Sequence, residues 1–196
     1  MLRFHFAPED LTRVRMADGP HALWEIAASL HRFQTRDGRW AYAAWHRDAV
    51  STLRGTDLGR EVRSVLLPLF PRASYFPDFL TPSAGQDGLD AGLDALLSTP
   101  AAQVARETAL LAQTVGAPSW VHRLAEGETR GQVVRVLRAY HDTVITPLEE
   151  TFHAHLYAER VRLSGALFRT GIEELLANLA PAVRWRPPVL ETMPRS

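Results

Sequence analysis

The chain has 196 residues, 46% of them hydrophobic, and its 22 basic and 22 acidic side chains give a formal net charge of zero. That length suits one domain with a buried core, and the balanced charge lacks the electrostatic footprint of a nucleic-acid-binding surface. Cysteine is absent, which removes disulfides, thiolate metal sites and thiol nucleophiles together; every basic side chain is arginine, which reads as the codon usage of a high-GC genome rather than as function.

Leu2, Phe4 and Phe6 alternate with Arg3 and His5, predicting a short half-buried strand. Pro8 then opens a helix, where its missing N–H is an orphan anyway. Leu11 and Val14 lie on that helix, and it ends near Asp18-Gly19-Pro20. The start of the chain turns acidic at Glu9-Asp10 without a secretory apolar region. No apolar run approaches the roughly 18 residues of a membrane span, so a cytoplasmic chain without membrane contact is expected.

A second helix follows Pro20, with Leu23, Ile26, Ala27, Leu30 and Phe33 at helical spacing and a stop at Asp37-Gly38. Two more run from about Trp40 to Leu53 and from Leu58 to Leu67. The stretch from Leu66 to Pro82 holds four prolines besides its aromatics. It can be neither a regular helix nor a central strand, because proline removes a donor and pushes the preceding residue out of the helical region. So apolar a loop is expected against a core or lining a pocket.

Beyond it, Leu89, Leu93, Leu96 and Leu97 form an amphipathic set. Thr99 is expected to cap a helix that Pro100 opens and that carries Val104, Leu110 and Leu111 to Gly116. A short helix spans about Ser119 to Ala125. The longest periodic stretch has Val133, Leu137, Tyr140 and Val144, then Leu148, Phe152, Leu156, Leu163 and Leu167. Thr146-Pro147-Leu148-Glu149 reads as a capping box that restarts or kinks it. A last helix runs from about Gly171 to Leu179, before Pro181. The tail from Val183 to Glu191 alternates like a strand interrupted by Pro187-Pro188, which confines it to an edge or a bulge; it is expected to pair with the N-terminal strand.

Candidate sites are sparse. Glu149 and His153 share a helix face at i and i+4, as do His155 and Glu159, with His141-Asp142 nearby. Helical bundles build carboxylate–histidine metal sites from such pairs, but the same spacing marks an ordinary solvated face with local ion pairs. Leu111 to His122 has a weak helix-turn-helix spacing, yet His122 falls where a buried aliphatic is wanted; it reads as a packing turn. No nucleophile elbow, zinc-protease helix, phosphate loop or dinucleotide glycine pattern is present. Asp78 is either a functional carboxylate or a turn-capping one. Tyr75, Phe76 and Phe79 of the apolar loop, with Trp24, form the candidate wall of a small-molecule pocket.

Several segments together resemble the N-terminal domain of ArsR-type winged-helix transcriptional regulators of high-GC actinobacteria. They are Leu2-Arg3-Phe4-His5-Phe6 with Asp10-Leu11, Gly19-Pro20 through Leu23-Trp24-Glu25, Tyr75-Phe76-Pro77-Asp78-Phe79-Leu80-Thr81-Pro82, and Leu93-Asp94-Ala95-Leu96-Leu97-Ser98-Thr99-Pro100. Arg138-Ala139-Tyr140-His141 and Arg184-Trp185-Arg186-Pro187-Pro188-Val189-Leu190-Glu191 complete the set. In that family the winged helix follows the closing strand, whereas this chain stops at Met193-Pro194-Arg195-Ser196. The resemblance therefore implies the companion domain of a transcription regulator, and the family's thiolate metal sites cannot carry over.

The expectation is a mainly α, multi-helix bundle-like domain spanning 1–196, with a short N-terminal strand and a short C-terminal strand. It would sense a small apolar ligand or form a homodimer, and would reach DNA only through a winged-helix module that the chain does not contain. No catalytic residue, metal or cofactor is assigned. Two alternatives are a metal-dependent helical-bundle enzyme using Glu149, His153 and His141, and a purely structural oligomerisation module.

Overall fold

The computed structural model describes residues 3–73, 75–179 and 183–192. Leu2, Ser74, Pro181 and the closing 193–196 lie outside the described residues. The fold is mainly helical with short strands near both ends, and the chain gathers into two compact units, Met1–Asp18 with Thr151–Ser196 and Gly19–Glu150. Among the described residues no helix is long and apolar enough to cross a membrane.

The first unit begins with strand β1 (Arg3–His5) and a single helical turn, α1 (Pro8–Leu11). Pro8 sits in the first turn, and Asp10 Oδ2 accepts the Ala7 N–H at 2.8 Å. The helix does not continue through Val14 as the spacing predicts. Side chains take its last carbonyls instead: the Thr12 hydroxyl donates to Glu9 O at 2.7 Å and the Arg15 guanidinium to Thr12 O at 2.8 Å.

The second unit opens with α2 (Ala22–Phe33), which buries Leu23, Ile26, Ala27 and Leu30 at helical spacing. His21 caps it. Its Nδ1 accepts the Trp24 N–H at 3.3 Å while Nε2 lies 3.1 Å from Pro82 O, so the proton sits on Nε2. The helix ends short of Asp37-Gly38, because the Gln34 amide turns to Leu30 O and to Phe70 O (2.8 Å). Gly38, at φ 62, starts α3 (Arg39–Leu53), which bends at Tyr42 (φ −126, ψ 17).

Thr56 opens α4 (Asp57–Glu61) by accepting the Gly59 N–H at 3.0 Å. Helical backbone then runs on through a π turn (Val62–Leu66) and α5 (Leu67–Leu69). The first residues of the proline-aromatic stretch are thus helical, contrary to expectation. Pro68 is accommodated because the Leu67 N–H reaches back five residues to Val62 O, widening the turn ahead of the ring. The stretch continues through a 3₁₀ turn, Asp78–Leu80, and a second one, Ser83–Asp87, follows it.

Next come α6 (Leu89–Ser98) and α7 (Ala101–Thr114). Thr99 closes α6, its hydroxyl donating to Ala95 O at 3.0 Å, and does not cap α7 as expected. A 3₁₀ helix (Ser119–Ala125) leads to α8 (Gly127–Tyr140), a second π turn (His141–Ile145) and a 3₁₀ turn (Thr146–Leu148). The core of this unit is built from Leu23, Ile26, Leu30, Leu66, Phe70, Leu80, Leu93, Leu96, Leu111, Leu137 and Tyr140, all fully buried. Each such aliphatic contributes about 1.5–3 kcal/mol by leaving water.

Helix α9 (Glu149–Ala177) restarts after Pro147 and enters the first unit. Of the expected restart or kink at Pro147, the restart is what occurs; the capping box is not realised, because the Thr146 hydroxyl lies 3.3 Å from His141 Nδ1. Gly171 (φ 84, ψ 176) interrupts α9 where a separate last helix was expected. Strands β2 (Val183–Arg186) and β3 (Val189–Thr192) form an antiparallel hairpin, and β1 pairs β3 with Arg3 opposite Glu191, giving the order β1-β3-β2. The tail is two strands rather than one interrupted strand: Pro187 and Pro188, joined by a cis peptide, fill the turn, where no ladder donor is needed. Trp185 is buried and meets Phe6 edge-on at 5.5 Å.

Candidate functional site

The proline-aromatic segment is held by a buried carboxylate. Glu107 on α7 is 8% exposed; its Oε2 accepts the Phe79 N–H at 2.9 Å and its Oε1 the Gln103 amide at 2.8 Å. Phe79 is core. Phe76 meets Trp24 and His31 edge-on, each at 5.7 Å, and lies 5.8 Å from Phe70. The Tyr75 hydroxyl points to Glu107 O at 3.5 Å, and burial, with Glu107 and Asp78 nearby, raises its pKa. Of the four aromatics expected to line a pocket, Phe76 and Trp24 therefore pack on one another, Trp24 being half exposed at 48%. Asp78 is exposed at the head of its 3₁₀ turn.

The titratable groups at the end of α8 are partly brought together. His141 is buried, with Nε2 3.8 Å from Glu149 and Nδ1 3.7 Å from Asp142. On α9, His155 Nδ1 lies 2.7 Å from Thr151 O rather than against Glu159, which takes the Arg162 guanidinium at 2.5 and 2.8 Å. That bond lowers the pKa of Glu159. His153 is exposed. Among the described residues no three His, Asp or Glu side chains group as a metal ion would require. The turn from Leu111 to His122 leads into a 3₁₀ helix rather than a recognition helix.

A concave site lies elsewhere in the second unit, where α2, α3, α4 and the first π turn converge. It is a cavity of about 410 Å³, within the range of roughly 300–1,000 Å³ common for small-molecule sites. Phe33, Val50, Leu53, Val62 and Leu67 supply apolar wall, and Arg54, Arg63, Gly55 and Gly59 complete the lining. Gly59 is required by close packing: a Cβ there would stand 2.0 Å from the Leu53 carbonyl oxygen. The α3–α4 turn therefore closes backbone to backbone. Behind Phe33 the Trp45 ring lies at 5.5 Å, its indole N–H buried and without a hydrogen-bond acceptor among the described residues.

None of Tyr75, Phe76, Phe79 or Trp24 lines this cavity. Its walls read in the sequence as ordinary core periodicity, and the one signal was the pair Gly55 and Gly59 flanking a helix start. This half-open recess can take up an apolar body beside two cationic groups; its lining contains no nucleophile–base pair. No family model matches the chain, no curated protein is similar to it, and no solved structure matches it.

Proposed function

We propose that this chain is the effector-sensing domain of a transcription regulator akin to the ArsR-type proteins whose N-terminal domains it resembles, rather than an enzyme or a DNA-contacting module. The observation that carries the reading is the apolar cavity beside the first π turn, of a size suited to a small molecule and lined without catalytic groups. Zero net charge supports assigning the DNA contact to another module. The neutral dye Nile red tests the cavity. It is expected to bind the wild-type chain and to be excluded by Val50→Trp, which fills the space from its half-buried rim. Equal binding by both proteins would place the dye elsewhere and remove the support. Tight binding of duplex DNA by this chain alone at low salt, in a mobility-shift experiment, would overturn the division of labour.

A dimerising role is favoured by a different observation. Tyr157, Val161 and Phe168 of α9, spaced i, i+4 and i+11 on one face, are 71%, 57% and 89% exposed. Sedimentation of wild type against Phe168→Glu is expected to show a dimer lost in the variant; a monomeric wild type at high concentration would exclude this reading.

A further inference from the structure

We infer that the cavity takes an amphipathic anion: a single apolar chain carrying an anionic head group, the chain lying against Phe33, Leu53, Val62 and Leu67 and the head group against Arg54 and Arg63. The inference rests on the effector-cavity reading and gives it a ligand class.

The charge pattern of the lining supports it. Both titratable side chains in the lining are cationic, and no carboxylate belongs to it. The acids on the adjoining helix are engaged elsewhere: Asp57 pairs with Arg60, and Glu61 with Arg135 at 3.2 Å. Neither Arg54 nor Arg63 forms an ion pair with a described residue. Two exposed arginines, without an ion-pair partner among the described residues, stand at the edge of this apolar recess and raise the positive potential at its mouth. Guanidinium forks suit carboxylate or phosphate oxygens. An uncharged apolar molecule would fill the recess but leave that potential unanswered, and a cationic one would be repelled.

The geometry also fixes where the arginines come from. Arg54 follows the last residue of α3, immediately before Gly55 (φ 76), and Arg63 is the second residue of the π turn. The widened turn and the close Gly59–Leu53 approach thus bring the two guanidinium-bearing positions to one cavity. π turns recur at functional sites for such reasons.

Isothermal titration of the full chain with decanoate, decanol and decylammonium tests the inference. Decanoate is expected to bind at least about tenfold more tightly than decanol, the scale of one charge-assisted hydrogen bond, and decylammonium weakest. Its affinity should fall with added salt. The exposed double variant Arg54→Gln/Arg63→Gln should lose about tenfold or more for decanoate while keeping decanol affinity and the wild-type melting temperature. Decanol binding as tightly as decanoate, or decanoate affinity unchanged in the double variant, would overturn the anionic class and leave the effector cavity standing. Failure of all three to bind would overturn both.

Discussion

The π turn before Pro68 and the one before Pro147 share a backbone solution but not their surroundings. In each, an N–H reaches back five residues, from Leu67 to Val62 O and from Thr146 to His141 O, one residue ahead of a proline. An uninterrupted α ladder would ask Pro68 to donate to Ser64 O and Pro147 to Thr143 O, which neither can do. Around the second turn the space is filled. Tyr140 is fully buried with its hydroxyl 2.9 Å from Ser29 Oγ, and His141, Val144 and Ile145 are buried beside it. Around the first, Val62 and Leu66 are buried but the flank opens into the cavity. The difference lies in what fills the gap: Ser29 of α2 bonds Tyr140 at the head of the second turn, while beside the first the α3–α4 corner presents backbone to itself through Gly59. A proline decides where a helix must widen; its neighbours decide whether the widening becomes core or pocket.

Gly59→Ala attacks the comparison most directly. The added methyl collides with a main-chain carbonyl that cannot swing aside, so urea denaturation is expected to show a loss of about 3 kcal/mol or more, together with loss of Nile red binding. Gly55→Ala is the control: its φ of 76 is strained for alanine, but no atom lies within 4 Å, and about 1 kcal/mol is expected. Equal costs for the two variants would remove the backbone wall from the explanation of the cavity.

Tyr140→Phe probes the filled turn. Since Ser29 Oγ donates to Ile26 O at 2.7 Å, the tyrosine hydroxyl is the donor to Ser29, and its removal should cost about 1–2 kcal/mol. A double-mutant cycle with Ser29→Ala should recover most of that as coupling; additive losses would mean that the pair packs without bonding. The variant also has a signature in alkali. Burial raises the Tyr140 pKa well above its ordinary 10.0. The unfolded chain therefore releases this proton first, so stability is intact below about pH 10 and falls as pH rises beyond it. Tyr140→Phe should flatten that alkaline limb.

The smallest effects come from the prolines themselves. Pro68→Ala and Pro147→Ala should each cost about 0.5–1 kcal/mol, through the added freedom of the unfolded chain. Pro68→Ala should also change Nile red affinity, whereas Pro147→Ala should not. No change in dye affinity with either variant would detach the cavity from the π turn.

Much of this architecture was legible in residue spacing. Pro8, the run from Leu23 to Phe33, the restart after Pro147 and the break at Gly171 all mark elements where the local chemistry points. The pairing of β1 with the tail followed from matched alternation. What escaped was whatever depends on a second segment. A proline announces that an α ladder fails, but not that the chain answers with a wider turn and stays helical, as it does from Leu67 to Leu69. Thr99 looks like an N-cap until its hydroxyl is seen on Ala95 O. The cavity was least visible of all. Leu53, Val62 and Leu67 carry the same periodicity as Leu66 and Leu69, which are fully buried core. A gap between helices has no residue of its own to betray it.

The sheet has a consequence for biosynthesis. Arg3–His5 are made long before their partners at Val189–Glu191, which lie far along the chain. At ribosomal rates of about 5–20 residues per second, β1 waits roughly ten to forty seconds with both edges unpaired, and closing so long a loop favours a late step. That β1 is three residues long and led by a charged arginine, which later pairs with Glu191 at 2.9 Å, makes it a poor template for stray strands in the interval.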